Sequence, residues 1–158
     1  MISAIRRLLV LFLLAAWWGG FTFYALAVIP SGHEVLHSRV KQGFITRSVT
    51  TKLNWLGVVA IAASLSEVLA ARARRGRFRL LLTAWLICLV TQVALFWIHA
   101  CMDGLLDPAA MAVIDQDRFE SLHLLYLWPA TIGWFGSGTI LAMLAWPFPR
   151  NAAVVEGK

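Results

Sequence analysis

Apolar residues in this chain do not alternate with polar ones at short period; they run together. Leu8 to Pro30, Leu53 to Ala71, Phe78 to about Met102 and about Phe119 to Trp146 are long apolar stretches separated by short polar blocks. About 20 such residues cross a hydrocarbon layer of ~30 Å as a helix. Inside hydrocarbon every backbone N–H and C=O has to pair within its own segment, which makes helix the form such a run takes. The pattern predicts an all-α fold: an integral-membrane bundle of four transmembrane helices at 8–30, 53–71, 78–102 and 119–146. They form a single membrane domain over residues 1–158.

The polar blocks add detail. His33 to Ile45 carries Leu36, Val40 and Phe44 at helical spacing, with Arg39 and Lys41 elsewhere on the circumference. That predicts a short amphipathic helix lying in the interface over 33–45, after the first span. Asp107-Pro108 reads as a helix N-cap followed by proline at the first helical position, so that a helix starts there and runs into the fourth span. Small residues four apart, Ala15/Gly19, Ala16/Gly20 and Gly133/Ser137, predict close approach of helices. Gln92, in mid-span, predicts a hydrogen bond to another helix. Glu67 predicts a reach toward the arginines that follow its span. Asn54 reads as a hydrogen bonder at a helix end, and Pro129 predicts a kink in the fourth span. Trp17, Trp18, Trp55, Trp97, Trp128 and Trp146 fall mostly near predicted interfaces, as aromatic belts do.

Composition agrees. Hydrophobic residues make up 60% of the chain and charged residues 14%, against roughly 45–50% and 25% in soluble domains. The net charge of +6 comes from 14 Lys and Arg against 8 Asp and Glu. In a soluble protein that excess would suggest nucleic acid. Here the bases flank apolar runs, and no basic stripe with stacking aromatics lies outside them, so no nucleic acid is expected. Beside spans, such bases set orientation and attract anionic headgroups.

Counted on alternating sides, nine bases (Arg6, Arg7, Arg72, Arg74, Arg75, Arg77, Arg79, Arg150, Lys158) face five (Arg39, Lys41, Arg47, Lys52, Arg118). The positive-inside rule then places both termini in the cytoplasm. The first span resembles a secretory signal, with Ala25-Leu26-Ala27 as a candidate cleavage site. Its apolar run of about 23 residues is long enough to span, and it is expected to stay as an uncleaved helix. Cys88 and Cys101 fall in one predicted helix about 20 Å apart and cannot pair with each other.

Candidate chemistry gathers on one side. His33, His37, His99 and His123 all fall at the face opposite the basic one, together with Glu34, Cys101, Asp103, Asp107, Asp115, Asp117 and Glu120. His33-Glu34-Val35-Leu36-His37 matches H-E-x-x-H, in which two histidines one turn apart hold zinc and the glutamate, here Glu34, activates water. Glu34-Val35-Leu36-His37 and Glu120-Ser121-Leu122-His123 are both E-x-x-H, and His99 and Asp103 are one turn apart. Paired E-x-x-H motifs aim carboxylate and imidazole at a shared ion in dimetal bundles. A b-type haem held by two of His99, His123 and His37 is a further possibility. The plain alternative is that these side chains cap helix ends and hydrogen-bond at an interface without holding any ion.

Trp17-Trp18-Gly19-Gly20, Val28-Ile29-Pro30, Gly43 and Leu53-Asn54 resemble a pattern that recurs in uncharacterised bacterial four-helix membrane proteins. More remotely it is similar to the copper-resistance D membrane domain: glycines in the first span, an aromatic-rich exit ending in V-x-P, then a short helix and re-entry. The resemblance covers about a third of the chain and implies a four-helix bundle in a bacterial inner membrane, with some connection to metal handling.

Three functions follow as expectations. The first is a small, non-catalytic inner-membrane component, working alone, as a homo-oligomer or with other membrane subunits, with a His/carboxylate cluster at its exoplasmic face. The second is a protein binding a transition metal (Zn, Cu or Fe) or haem through His33, Glu34, His37, His99, Asp103, Glu120 and His123. The third is a membrane zinc hydrolase using His33, Glu34 and His37.

Overall fold

The four apolar runs are the bodies of four long helices, each extended by polar residues at one or both ends. A computed structural model describes residues 2–146 of the chain; Arg150 and Lys158, counted above for orientation, lie outside the described residues. Helix α1 covers Ile2–Phe23, passes through a π-helical turn at Tyr24–Val28 and continues as α2, Ile29–Leu36. The widened turn sits just ahead of Pro30, whose ring crowds the carbonyl four residues back and which has no N–H to close the ordinary bond. Helix α3 is Arg39–Ala70, α4 is Arg75–Asp103 and α5 is Gln116–Ala145, running on through Pro129. Four helical segments, 3–36, 40–70, 75–103 and 116–145, are long and apolar enough to cross a membrane.

Two local expectations are corrected. No single helix covers 33–45. The chain breaks at His37, which adopts a left-handed conformation (φ 46°), and at extended Ser38. Ser38 caps the new helix by accepting the Lys41 N–H at 3.4 Å, so the polar segment after residue 38 is the first part of α3. Nor does a helix begin at Asp107-Pro108. Strands β1 (Leu106–Asp107) and β2 (Ala112–Val113) form a small antiparallel hairpin. Asp107 turns the chain there, its Oδ1 accepting from the backbone N–H of Ala109 (2.9 Å) and Ala110 (3.1 Å). The cap of α5 is Asp115, which accepts the Arg118 N–H at 3.0 Å.

Each helix turns one stripe inward. Val10, Leu14 and Trp17 of α1 meet Ala60, Ile61, Ser64 and Val68 of α3, Leu81, Ala84 and Cys88 of α4, and Ile140 and Leu144 of α5. The 3–4 spacing within each set is that of one helix face. Helices α4 and α5 approach most closely where they are smallest: a Cβ on Gly133 would lie 2.9 Å from Thr91 Oγ1, and one on Gly136 2.8 Å from Cys88 Sγ. The pair expected in α1 divides: a Cβ on Gly20 would reach Leu53, whereas one on Gly19 meets nothing within 4 Å. The outward faces stay apolar, with Leu8, Phe12, Leu26, Val90, Trp97, Trp128 and Phe135 all well exposed. In a water-soluble bundle those positions would be polar.

The ends of the bundle are tied differently. At one end Glu67 pairs with Arg6 of α1 at 3.0 Å. Arg7 bonds the Leu144 carbonyl, and Arg77 the Met143 carbonyl at 2.9 Å, so two cations sit on the final carbonyls of α5. The opposite end opens.

Candidate functional site

Between α1 and α5, Trp18 stacks on Trp134 (ring centroids 5.0 Å) and Trp134 Nε1–H donates to Thr22 Oγ1 at 2.8 Å. Beyond that clasp the π turn and α2 pack toward α3, and a cavity of about 460 Å³ is left among the four helix ends and the hairpin. The value lies within the ~300–1,000 Å³ of small-molecule sites. Helix α3 contributes the stripe Val40, Gly43, Arg47 and Thr50. The end of α4 adds His99, Met102 and Asp103, while α2 supplies Ile29 and His33, and the hairpin supplies Leu106 and Val113. Leu124 and Leu127 of α5 line the cavity and are also 63% and 47% exposed. Apolar side chains of the α5 wall therefore also reach the outer surface of the bundle.

Three hydrogen-bonded layers support the cavity. Arg47 Nε donates to Asp103 Oδ1 at 2.6 Å, tying α3 to α4. His99 sits beside that pair, with Nε2 3.7 Å from Asp103 Oδ1 and 3.0 Å from Thr51 Oγ1. The Thr51 hydroxyl is also within hydrogen-bond distance of the Arg47 carbonyl, at 2.8 Å, so it links His99 to the backbone of α3. Deeper, Asn54 and Tyr126 bond each other through amide and hydroxyl at 3.2 and 3.3 Å, and Gln92 Nε2–H donates to the Asn54 carbonyl at 2.9 Å. Gln92 thus has the partner from another helix that its mid-span position demands. Asn54 is 1% exposed and lies inside α3, not at a helix end as expected. At the mouth, His33 Nδ1 lies 3.1 Å from the Ile29 carbonyl. A carbonyl can only accept, so His33 donates from Nδ1 and the neutral form of the ring carries its lone pair at Nε2.

Five of the seven residues singled out from sequence, His33, His99, Asp103, Glu120 and His123, line this cavity; Glu34 and His37 do not. The H-E-x-x-H spacing presumes one continuous helix, and the helix stops before His37 turns left-handed. The first E-x-x-H pair therefore does not join the second. Among the described residues no three His, Cys, Asp or Glu side chains are placed to share a metal ion. Of the three histidines considered for a haem, His99 and His123 line the cavity and His37 does not. The donor set as arranged is a hydrogen-bonding one.

No family model, curated protein or solved structure matches the chain.

The site accordingly rests on its own geometry. Sequence reasoning missed Arg47, Tyr24, Gly43, Thr50 and Tyr126 as cavity residues. For Arg47 the available signal was an opposite charge, Asp103, at the facing end of another apolar run. Asn54 and Gln92 were visible as polar residues in or beside apolar runs, but not as partners.

Proposed function

We propose that this chain is a small multi-pass membrane protein that works by holding an amphipathic molecule of the bilayer in the cavity at its acidic end, without catalysing a reaction on it. The observation that carries this reading is the cavity's lining: hydrogen-bonded polar groups together with apolar side chains, among them Leu124 and Leu127, which are also exposed on the outer surface and past which we place its opening. A ligand dissolved in lipid could pass such an opening without crossing water. The apolar outer faces of four helices support the bilayer setting, because a bundle in water would need polar side chains there.

Charge supports an orientation in the bacterial inner membrane. The clasped end carries seven arginines (6, 7, 72, 74, 75, 77, 79) against Glu67 alone. The cavity end carries five bases against six acids (34, 103, 107, 115, 117, 120). With the basic end in the cytoplasm, the cavity opens near the outer headgroups. Helix α3, at 32 residues, is about 48 Å long and overreaches a ~30 Å core, which accommodates polar walls at that level.

The test is native mass spectrometry of the protein released from lipid. Gly43 lines the cavity and a Cβ there meets nothing within 4 Å, so Gly43→Phe should fill the space without displacing the backbone. Wild-type protein should retain a small-molecule adduct that Gly43→Phe loses. Identical spectra for the two would overturn the reading.

A further inference from the structure

We infer that the molecule this cavity takes is a lipophilic organic cation, an ion of single positive charge with an aromatic or apolar body. This rests on the binding reading above and adds the sign of the ligand's charge. Arg47 is the cation of the lining, and Asp103 at 2.6 Å neutralises it. Glu120, at the lip, takes its hydrogen bond from the neutral amide of Gln116 at 2.8 Å. Among the described residues no Lys, Arg or His comes within 4.0 Å of the Glu120 carboxylate. The lining therefore holds one carboxylate more than it holds fixed cations.

The neutral groups point the same way. The Ile29 carbonyl takes the Nδ1 proton of His33, so the neutral form of that ring keeps its lone pair at Nε2. A lone pair and a carboxylate welcome a cation, and N–H donors on it in particular. Tyr24, Phe119 and Tyr126 add aromatic side chains to the lining, and aromatic rings attract cations, more so where water is scarce. An anionic amphiphile would meet the excess carboxylate and could reach a guanidinium only by drawing Arg47 from Asp103. Leu124 and Leu127, which line the cavity and are exposed on the outer surface, suit an ion that partitions into lipid.

Tetraphenylphosphonium and tetraphenylborate have nearly the same shape and opposite charge, and they separate these requirements. Each is equilibrated with the full chain in phosphatidylcholine nanodiscs and measured against protein-free nanodiscs. The phosphonium should bind saturably, about tenfold or more tighter than the borate, and Glu120→Gln should weaken it about tenfold. Gly43→Phe should abolish saturable binding, with circular dichroism confirming that both variants fold. Equal or tighter borate binding overturns the charge assignment, as does phosphonium binding that ignores Glu120→Gln. If both ions saturate equally and Gly43→Phe removes both, the cavity reading stands and the cation inference falls. If neither ion saturates, the cation inference falls, and the comparison of native adducts in wild type and Gly43→Phe decides the cavity reading.

Discussion

The same substitution should act in opposite directions at two glycines of helix α3. A Cβ on Gly57 would lie 2.7 Å from Gln92 Oε1 and 2.7 Å from both Cε2 and Nε1 of Trp17. Neither neighbour can give way cheaply. Trp17 is a rigid indole, 3% exposed, and Gln92, also 3% exposed, is held by the Asn54 carbonyl. Forcing a methyl into such a site costs about 1–3 kcal/mol. Removing glycine from a helix interior returns about 0.5–1 kcal/mol. Taking the middle of each range, Gly57→Ala should therefore destabilise the bundle by about 1 kcal/mol. At Gly43 the clash is absent and the helix gain remains, so Gly43→Ala should stabilise by about 0.5–1 kcal/mol. Unfolding by sodium dodecyl sulfate titration in mixed micelles, followed by circular dichroism, measures both. A Gly57→Ala protein as stable as wild type would refute the packing of α1, α3 and α4 around Gly57. A destabilised Gly43→Ala would refute the open space beside α3.

Other substitutions test the supports of the site. In a double-mutant cycle, Arg47→Ala and Asp103→Ala should couple by about 0.5–1 kcal/mol, modest because both side chains are about a third exposed; no coupling would contradict the α3–α4 tie. Asn54→Leu leaves the buried Tyr126 hydroxyl without its partner and should cost about 1–3 kcal/mol, relieved in part by adding Tyr126→Phe. If the second change gives no relief, the two side chains are not paired. Cys101 is partly exposed and Cys88 fully buried, so a maleimide should label Cys101 in folded protein and Cys88 only after unfolding; early labelling of Cys88 would refute the α4–α5 contact.

Hydropathy alone made the long helices legible, because a span needs length and apolarity and little else. What it could not show was where they extend. Polar residues from Arg39 to Lys52 continue α3 because Ser38 caps it, a short-range signal masked by the amphipathic spacing of Leu36, Val40 and Phe44. The hairpin at 106–113 was hidden for a similar reason: aspartate followed by proline begins a turn as readily as a helix. Placing the histidines at one end anticipated where the cavity lies. The H-E-x-x-H match misled, since a helical motif carries no ligand geometry once its second histidine ends the helix. Pairings such as Arg47 with Asp103 or Asn54 with Tyr126 depend on helix rotation, and residue spacing within one helix does not report it.

Everything proposed for the cavity depends on the bundle crossing the bilayer with its acidic end outward. That is measured most directly with single cysteines at Glu120 and at Arg74, in a chain carrying Cys88→Ala and Cys101→Ala, probed in intact cells with a membrane-impermeant maleimide. The account predicts that Glu120→Cys is labelled from outside and that Arg74→Cys is labelled only after the membrane is opened. Labelling of Arg74→Cys in intact cells with Glu120→Cys protected would invert the orientation. Labelling of both from the same side would contradict a membrane-spanning bundle.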